Sequence, residues 1–192
     1  MSGRVAGNAG PSLRTAAAGA RALPAAAGLA VLVAALASPD AGAVDAVRYD
    51  YRGAAGICAP ALPVHGQSLR ARPLGLTNEG NADSFVTCTF FGTGVAGRST
   101  EHIAVVVANA GPTARAVTCT LVDGFASGSA STATYWPKTS PLLGGGNYST
   151  IEWLPAGADA PATITRAAVQ CRLPPGTTLH YIWTRYWEDV AG

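Results

Sequence analysis

Hydrolytic chemistry in a protein usually needs a nucleophile or a pair of carboxylates, with a base held close by. The chain has three histidines that could act as a base: His65, His102 and His180. It has no Gly-x-Ser-x-Gly segment, which would present a serine nucleophile on a sharp turn. The carboxylates that fall on predicted strands are Glu101, Glu152 and Glu188. We interpret them as solvated charges and predict no catalytic residue. The alternative is a small secreted hydrolase that uses Glu152 or Glu188 with His180.

Glu79, Asn81 and Asp83 place oxygen-bearing side chains at alternate positions of a predicted turn. Such oxygens are ligands for calcium, but the segment lacks the further acidic ligand of a full calcium loop. The turn preferences of Asn, Gly and Asp explain these residues without a metal. The chain also has no Cys-x-x-Cys or His-x-His spacing. We therefore expect no metal and no cofactor.

The segment from residue 179 to residue 187 is rich in aromatic side chains. Alternate residues of a strand share a face, so one face would carry Leu179, Tyr181, Trp183, Arg185 and Trp187. The interpretation we favour is a central strand packed on both sides, because large aromatic side chains in a small domain usually build the core. The alternative is an exposed strip that stacks on sugar rings or anchors a protein partner. In that case the ligand-binding residues are Tyr181, Trp183 and Trp187.

Four cysteines, an even number, indicate two disulfides in an exported protein. They are Cys58, Cys88, Cys119 and Cys171. Four cysteines allow three pairings. Cys119 and Cys171 lie in similar strand-like segments, so we expect a 119–171 disulfide together with a 58–88 disulfide.

Hydrophobic residues recur with a period of two around the cysteines, as in Val86, Cys88 and Phe90, which is typical of half-buried strands. Turn-forming residues separate these segments. The further predicted strands are residues 47–52, 68–76, 103–108, 131–136, 147–154, 163–171 and 179–187. Trp136 and Trp153 are expected in the core. The pattern predicts an all-β antiparallel two-sheet sandwich, immunoglobulin-like or jelly-roll, with a closed barrel as the second choice.

The first 43 residues have the composition of an export signal. Three arginines precede an uncharged, apolar run, and a small-x-small cleavage site, Ala41-Gly42-Ala43, follows it. An uncleaved membrane anchor is the alternative. Removing this segment leaves ten basic and ten acidic residues in a single predicted domain, residues 44–192. Such a neutral chain argues against nucleic acid as a partner. We expect a secreted or periplasmic protein that does not contact the membrane after cleavage.

The order of these motifs also resembles a loose family of exported bacterial disulfide-containing β-proteins. The resemblance covers about residues 57–190 and rests on Cys58, the 86–88 and 118–121 segments, the 105–109 strand, the 171–174 segment, Ile182 and Tyr186. It implies a secreted, disulfide-linked β-domain and transfers no catalytic residue. Together, these observations predict a binding or structural module with a carbohydrate or protein ligand.

Overall fold

The computed structural model describes residues 44–190, except for residues 91, 94, 96, 125, 128, 129 and 156. The predicted export segment lies outside the described residues. One short helix, α1, spans Ala54–Ile57, and a 3-10 helix spans Pro63–Gln67. None of the described helices has the length and apolar composition needed to span a bilayer. The strands are β1 Val44–Gly53, β2 Cys58–Pro60, β3 Leu69–Arg72, β4 Gly75–Asn78, β5 Ser84–Thr89, β6 His102–Asn109, β7 Arg115–Asp123, β8 Ala126–Ser127, β9 Ala130–Ser131, β10 Thr134–Leu142, β11 Asn147–Trp153, β12 Ala167–Leu173 and β13 Thr177–Val190.

These strands form two antiparallel sheets with one hydrophobic core between them. The first sheet has the order β11-β6-β13-β4-β3, and β1 also pairs with β13. The second sheet has the order β10-β7-β12-β5-β2, while β8 and β9 form a separate two-stranded ribbon. The predicted antiparallel two-sheet sandwich is therefore confirmed.

The core is filled by the alternate side chains that the period of two predicted. The second sheet contributes Val86 and Cys88 of β5 and the corresponding residues of β7 and β12, all fully buried. The first sheet contributes residues that include Ile103, Val105 and Ile182. Trp153 is fully buried, as predicted, and Trp136 is partly buried against the same core.

Both predicted disulfides are present, Cys58–Cys88 and Cys119–Cys171. In each bond the two cysteines are direct partners on neighbouring strands, β2 with β5 and β7 with β12. Both bonds therefore lie within the second sheet and cross-link four of its five strands.

Three predicted strands have different limits in the structure. Residues 131–136 are divided between the end of β9 and the start of β10, which continues to Leu142. Residues 68–76 form two strands, β3 and β4, with a turn at Pro73 and Leu74. Gly75 has φ +153°, and a Cβ there would lie 2.4 Å from the carbonyl oxygen of Leu179, so only glycine fits between β3 and β13. Residues 163–166 are not strand, because Asp123 Oδ1 accepts the backbone N–H groups of Thr165 and Arg166.

β13 contains an irregularity that changes which residues share a face. Its pairing with β6 shifts register between Leu179 and Tyr181, as expected for one extra residue in a β-bulge. Leu179 and Ile182 consequently both face the core. The prediction that Leu179 shares a face with Tyr181 was wrong, because strict alternation fails at a bulge. The favoured interpretation of core packing on both sides is also wrong for Tyr181, which is exposed.

Candidate functional site

The outer side of the first sheet carries a cluster of aromatic rings where β1 lies beside β13. We call Tyr49, Tyr51, Tyr181 and Trp183 the aromatic face. Tyr51 and Trp183 are direct partners across the two strands, and Tyr49 is the partner of Arg185. Partners of this kind bring their side chains into contact on the same side of the sheet. The strand pairing thus assembles the aromatic face from two segments about 130 residues apart.

The rings of the aromatic face lie side by side and remain accessible. The centroids of Tyr51 and Trp183 are 6.0 Å apart with an interplanar angle of 23°, a stacked arrangement. Tyr181 lies 6.4 Å from Tyr51. The Tyr51 side chain is 64% exposed and Tyr49 is 57% exposed. Because an exposed cluster of this kind leaves apolar surface in water, it is a candidate for ligand contact.

Small and polar side chains border the aromatic face on its other side. Ala104 of β6 pairs with Trp183 of β13 on one side and with Glu152 of β11 on the other. Only the methyl group of Ala104 therefore lies between the indole and the carboxylate across these three strands. The His102 ring packs edge-on against Trp183 at 4.3 Å, and its Nε2 lies 3.4 Å from Glu152 Oε2. That buried Nε2 has no hydrogen-bond partner among the described residues. The exposed Glu152 carboxylate is therefore the hydrogen-bonding group that this border offers next to the rings.

Trp187 lies further along β13, away from the aromatic face. Its Nε1 donates to Glu101 Oε1 at 2.8 Å, and Glu101 also forms an ion pair with Arg185, with 2.9 Å between Oε2 and Nε. The guanidinium of Arg98 covers the Trp187 ring at 4.5 Å. These residues line a cavity of about 530 Å³ with Gly97, Ser99 and Pro155. Of the three predicted ligand-binding residues, only Tyr181 and Trp183 belong to the aromatic face.

Tyr49 and Tyr51 are the residues of this site that the sequence interpretation missed. They alternate with charged residues within the predicted strand at 47–52, so a pair of tyrosines on one face was detectable. Within the same strand, Arg52 Nε donates to Asp50 Oδ2 at 2.7 Å. That hydrogen bond raises the pKa of the Arg52 guanidinium above its ordinary value.

The two pairings predicted for hydrolysis, His180 with Glu152 and His180 with Glu188, are not formed among the described residues, although Glu152 lies next to His102. His180 Nδ1 lies 2.6 Å from the carbonyl oxygen of Leu74. Glu188 pairs with Arg48 at 2.8 Å. Glu152 lies level with Trp183 across the sheet, because both residues pair with Ala104. Trp183 is three residues along β13 from His180, which corresponds to about 10 Å along the strand. The described residues thus do not bring either carboxylate into hydrogen-bond reach of His180.

The two acidic residues of the calcium pattern are engaged in ion pairs. Glu79 accepts hydrogen bonds from Arg72, and Asp83 lies 3.6 Å from Arg172 Nε. Within the part of the chain that the structure describes, no group of three or more His, Cys, Asp or Glu side chains is arranged to hold a metal.

Comparison with known proteins gives structural neighbours only. No family model and no curated protein matches the chain. One similar solved structure is the family 11 carbohydrate-binding module from Clostridium thermocellum in complex with a β-1,3-1,4-mixed-linked tetrasaccharide, with 8% identity, a TM-score of 0.33 and coverage of 79% of this chain and 88% of that one. Another is a CBM4 structure, with 10% identity, a TM-score of 0.28 and coverage of 74% and 86%. At these scores the neighbours carry no information about the ligand of this chain.

Proposed function

We propose that the protein is a secreted or periplasmic binding module that holds a carbohydrate chain against the aromatic face. The observation that carries the proposal is the stacked pair of exposed Tyr51 and half-buried Trp183, with the exposed Tyr181 beside it. The apolar C–H faces of a pyranose ring pack well on flat aromatic rings. Residues 44–192 form the single domain of this module.

The polar groups around the aromatic face favour carbohydrate over a protein ligand. Glu152 and His102 border Trp183, while Arg185 lies beyond it along β13 and pairs with Glu101. A sugar presents hydroxyl groups around the edge of an apolar face, so it can stack on the rings and exchange hydrogen bonds with carboxylates and guanidinium groups together.

An exported location agrees with the disulfides. All four cysteines are oxidised in the structure. Such bonds form and persist in oxidising compartments. The expected export segment would deliver the chain to one of them.

Tyr51→Ala is expected to lower the affinity for an oligosaccharide about tenfold, because stacking on one ring contributes up to about 1.5 kcal/mol. The measurement is isothermal titration calorimetry with a panel of neutral hexasaccharides of glucose, xylose and N-acetylglucosamine. Tyr135→Ala is the matched control. Tyr135 is a tyrosine of similar exposure, 65%, on β10 of the second sheet.

Equal affinity of the Tyr51→Ala and Tyr135→Ala variants for every sugar would refute the aromatic face as the carbohydrate site. If no sugar binds and a protein ligand loses affinity on Tyr51→Ala, the aromatic face is a protein-binding surface and the carbohydrate proposal is wrong. Both substituted positions are exposed, so circular dichroism should show unchanged folding in both variants.

A further inference from the structure

The Val-Thr-Cys-Thr motif at 86–89 and 117–120 places polar side chains on the outside of the second sheet. Thr118 and Thr120 lie on either side of the buried Cys119 in β7. Gln170 and Arg172 lie on either side of the buried Cys171 in β12. Successive side chains of a strand point to opposite faces. Because the cysteines point into the core, these four polar side chains point outward.

The four side chains line a cavity of about 330 Å³ together with Phe85 of β5. We call these five residues the polar pocket. The volume is at the lower end of the range found for small-ligand sites. The polar pocket lies on the opposite sheet from the aromatic face, so the two surfaces are independent of each other.

The polar pocket combines one accessible ring with side chains that both donate and accept hydrogen bonds. Phe85 is 37% exposed and packs against His65 at a centroid distance of 5.3 Å. The Gln170 carboxamide and the threonine hydroxyls can each donate and accept. Arg172 lies 3.6 Å from Asp83, so its charge is balanced locally. This chemistry suits a neutral ligand with hydroxyl groups and an apolar face.

The disulfide beneath the polar pocket holds its floor in place. Cys119 and Cys171 are direct partners, and the neighbouring partners are Thr120 with Gln170 and Thr118 with Arg172. The disulfide therefore keeps the Thr120–Gln170 pair and the Thr118–Arg172 pair next to each other in the free protein. Preorganisation of this kind reduces the ordering cost of binding.

We propose that the polar pocket is a second ligand site, which takes a neutral, polyhydroxylated ring such as a pyranoside. The ring stacks on Phe85, and its hydroxyl groups bond to Thr120, Gln170 and Arg172. This proposal stands independently of the aromatic face. With both sites occupied, one domain holds two saccharide chains on opposite sides.

The test is a titration of the ¹⁵N-labelled protein with the same panel of neutral hexasaccharides, in which the amide chemical shifts are measured by NMR. Each sugar is added up to about 10 mM, a concentration at which a site with a millimolar Kd is detected. At least one sugar is expected to shift the amides of residues 118–120 and 170–172. Phe85→Ala and Gln170→Ala should each weaken that response about three- to tenfold, since each removes a contact of about 1 kcal/mol. Thr89→Ala is the control, because Thr89 is an exposed threonine of β5 outside the polar pocket.

The outcomes separate the two sites. Shifts at 118–120 and 170–172 that persist in Tyr51→Ala but weaken in Gln170→Ala support a second site, whether or not the aromatic face binds. The proposal is overturned if no sugar in the panel shifts these amides. It is equally overturned if Gln170→Ala and Phe85→Ala respond like Thr89→Ala, or if Tyr51→Ala abolishes the shifts.

Discussion

Replacing Cys119 and Cys171 together by alanine is expected to lower the free energy of unfolding by about 4 kcal/mol. The two cysteines are 52 residues apart, and the chain-entropy relation gives about that loss for a closed loop of this length. Both sulfurs are also fully buried between central strands. The loss is a large part of the 5–15 kcal/mol that stabilises a typical domain.

Urea denaturation followed by tryptophan fluorescence measures this effect. The comparison is the double variant Cys58→Ala/Cys88→Ala. Its loop is shorter, at 30 residues, and its strand β2 is a three-residue edge strand in which Cys58 is only partly buried. We expect a slightly smaller loss there, about 3.6 kcal/mol. Equal midpoints for the wild type and the Cys119/Cys171 variant would contradict the prediction.

The second large effect is expected at Asn78, a fully buried residue at the end of β4. Its Nδ2 donates to the carbonyl oxygens of Ala82 at 2.8 Å and Leu173 at 2.7 Å, and its Oδ1 accepts from Gly80 N at 3.0 Å. Asn78→Ala leaves three backbone groups without these partners. At about 1 kcal/mol or more for each, the free energy of unfolding should fall by about 3 kcal/mol.

Asn81→Ala is the matched control, because Asn81 is exposed in the same turn. A surface change of this kind should cost less than about 0.5 kcal/mol. The prediction fails if the two variants have the same urea midpoint.

Asn109 repeats the Asn78 arrangement at the end of β6. Its Nδ2 donates to the carbonyl oxygens of Thr113 and Leu142, and its Oδ1 accepts from Gly111 N. Each asparagine thus links a strand end of the first sheet to a strand of the second, β12 through Leu173 and β10 through Leu142. From the sequence, asparagine and glycine at 78–81 and 109–111 are explained by turn formation alone. The link between the sheets became visible once the partners of the carboxamides were known.

Much of the fold was predictable because it depends on local chemistry. The alternation around Cys88, Cys119 and Cys171 identified three strands and their buried faces, since successive side chains on an extended backbone point to opposite sides. The similar surroundings of Cys119 and Cys171 also indicated their pairing, which the structure confirms. The limits of β3, β4 and β12 were less predictable, because they depend on contacts with Leu179 and Asp123 from other parts of the chain.

The candidate site was predicted only in part. Tyr181 and Trp183 were identified from the alternation of the aromatic segment 179–187, but their accessibility depends on a bulge at His180 that no local pattern marks.

The sequence alone determined the all-β class, the buried faces of the cysteine-bearing strands and the presence of two disulfides, because alternation and cysteine number are local properties of the chain. Only the tertiary structure decided that Tyr51 stacks on Trp183 and that the polar pocket lies on the opposite sheet. Strand order and register result from the packing of all the strands together. Residues distant in sequence therefore become neighbours for reasons that neither segment contains by itself.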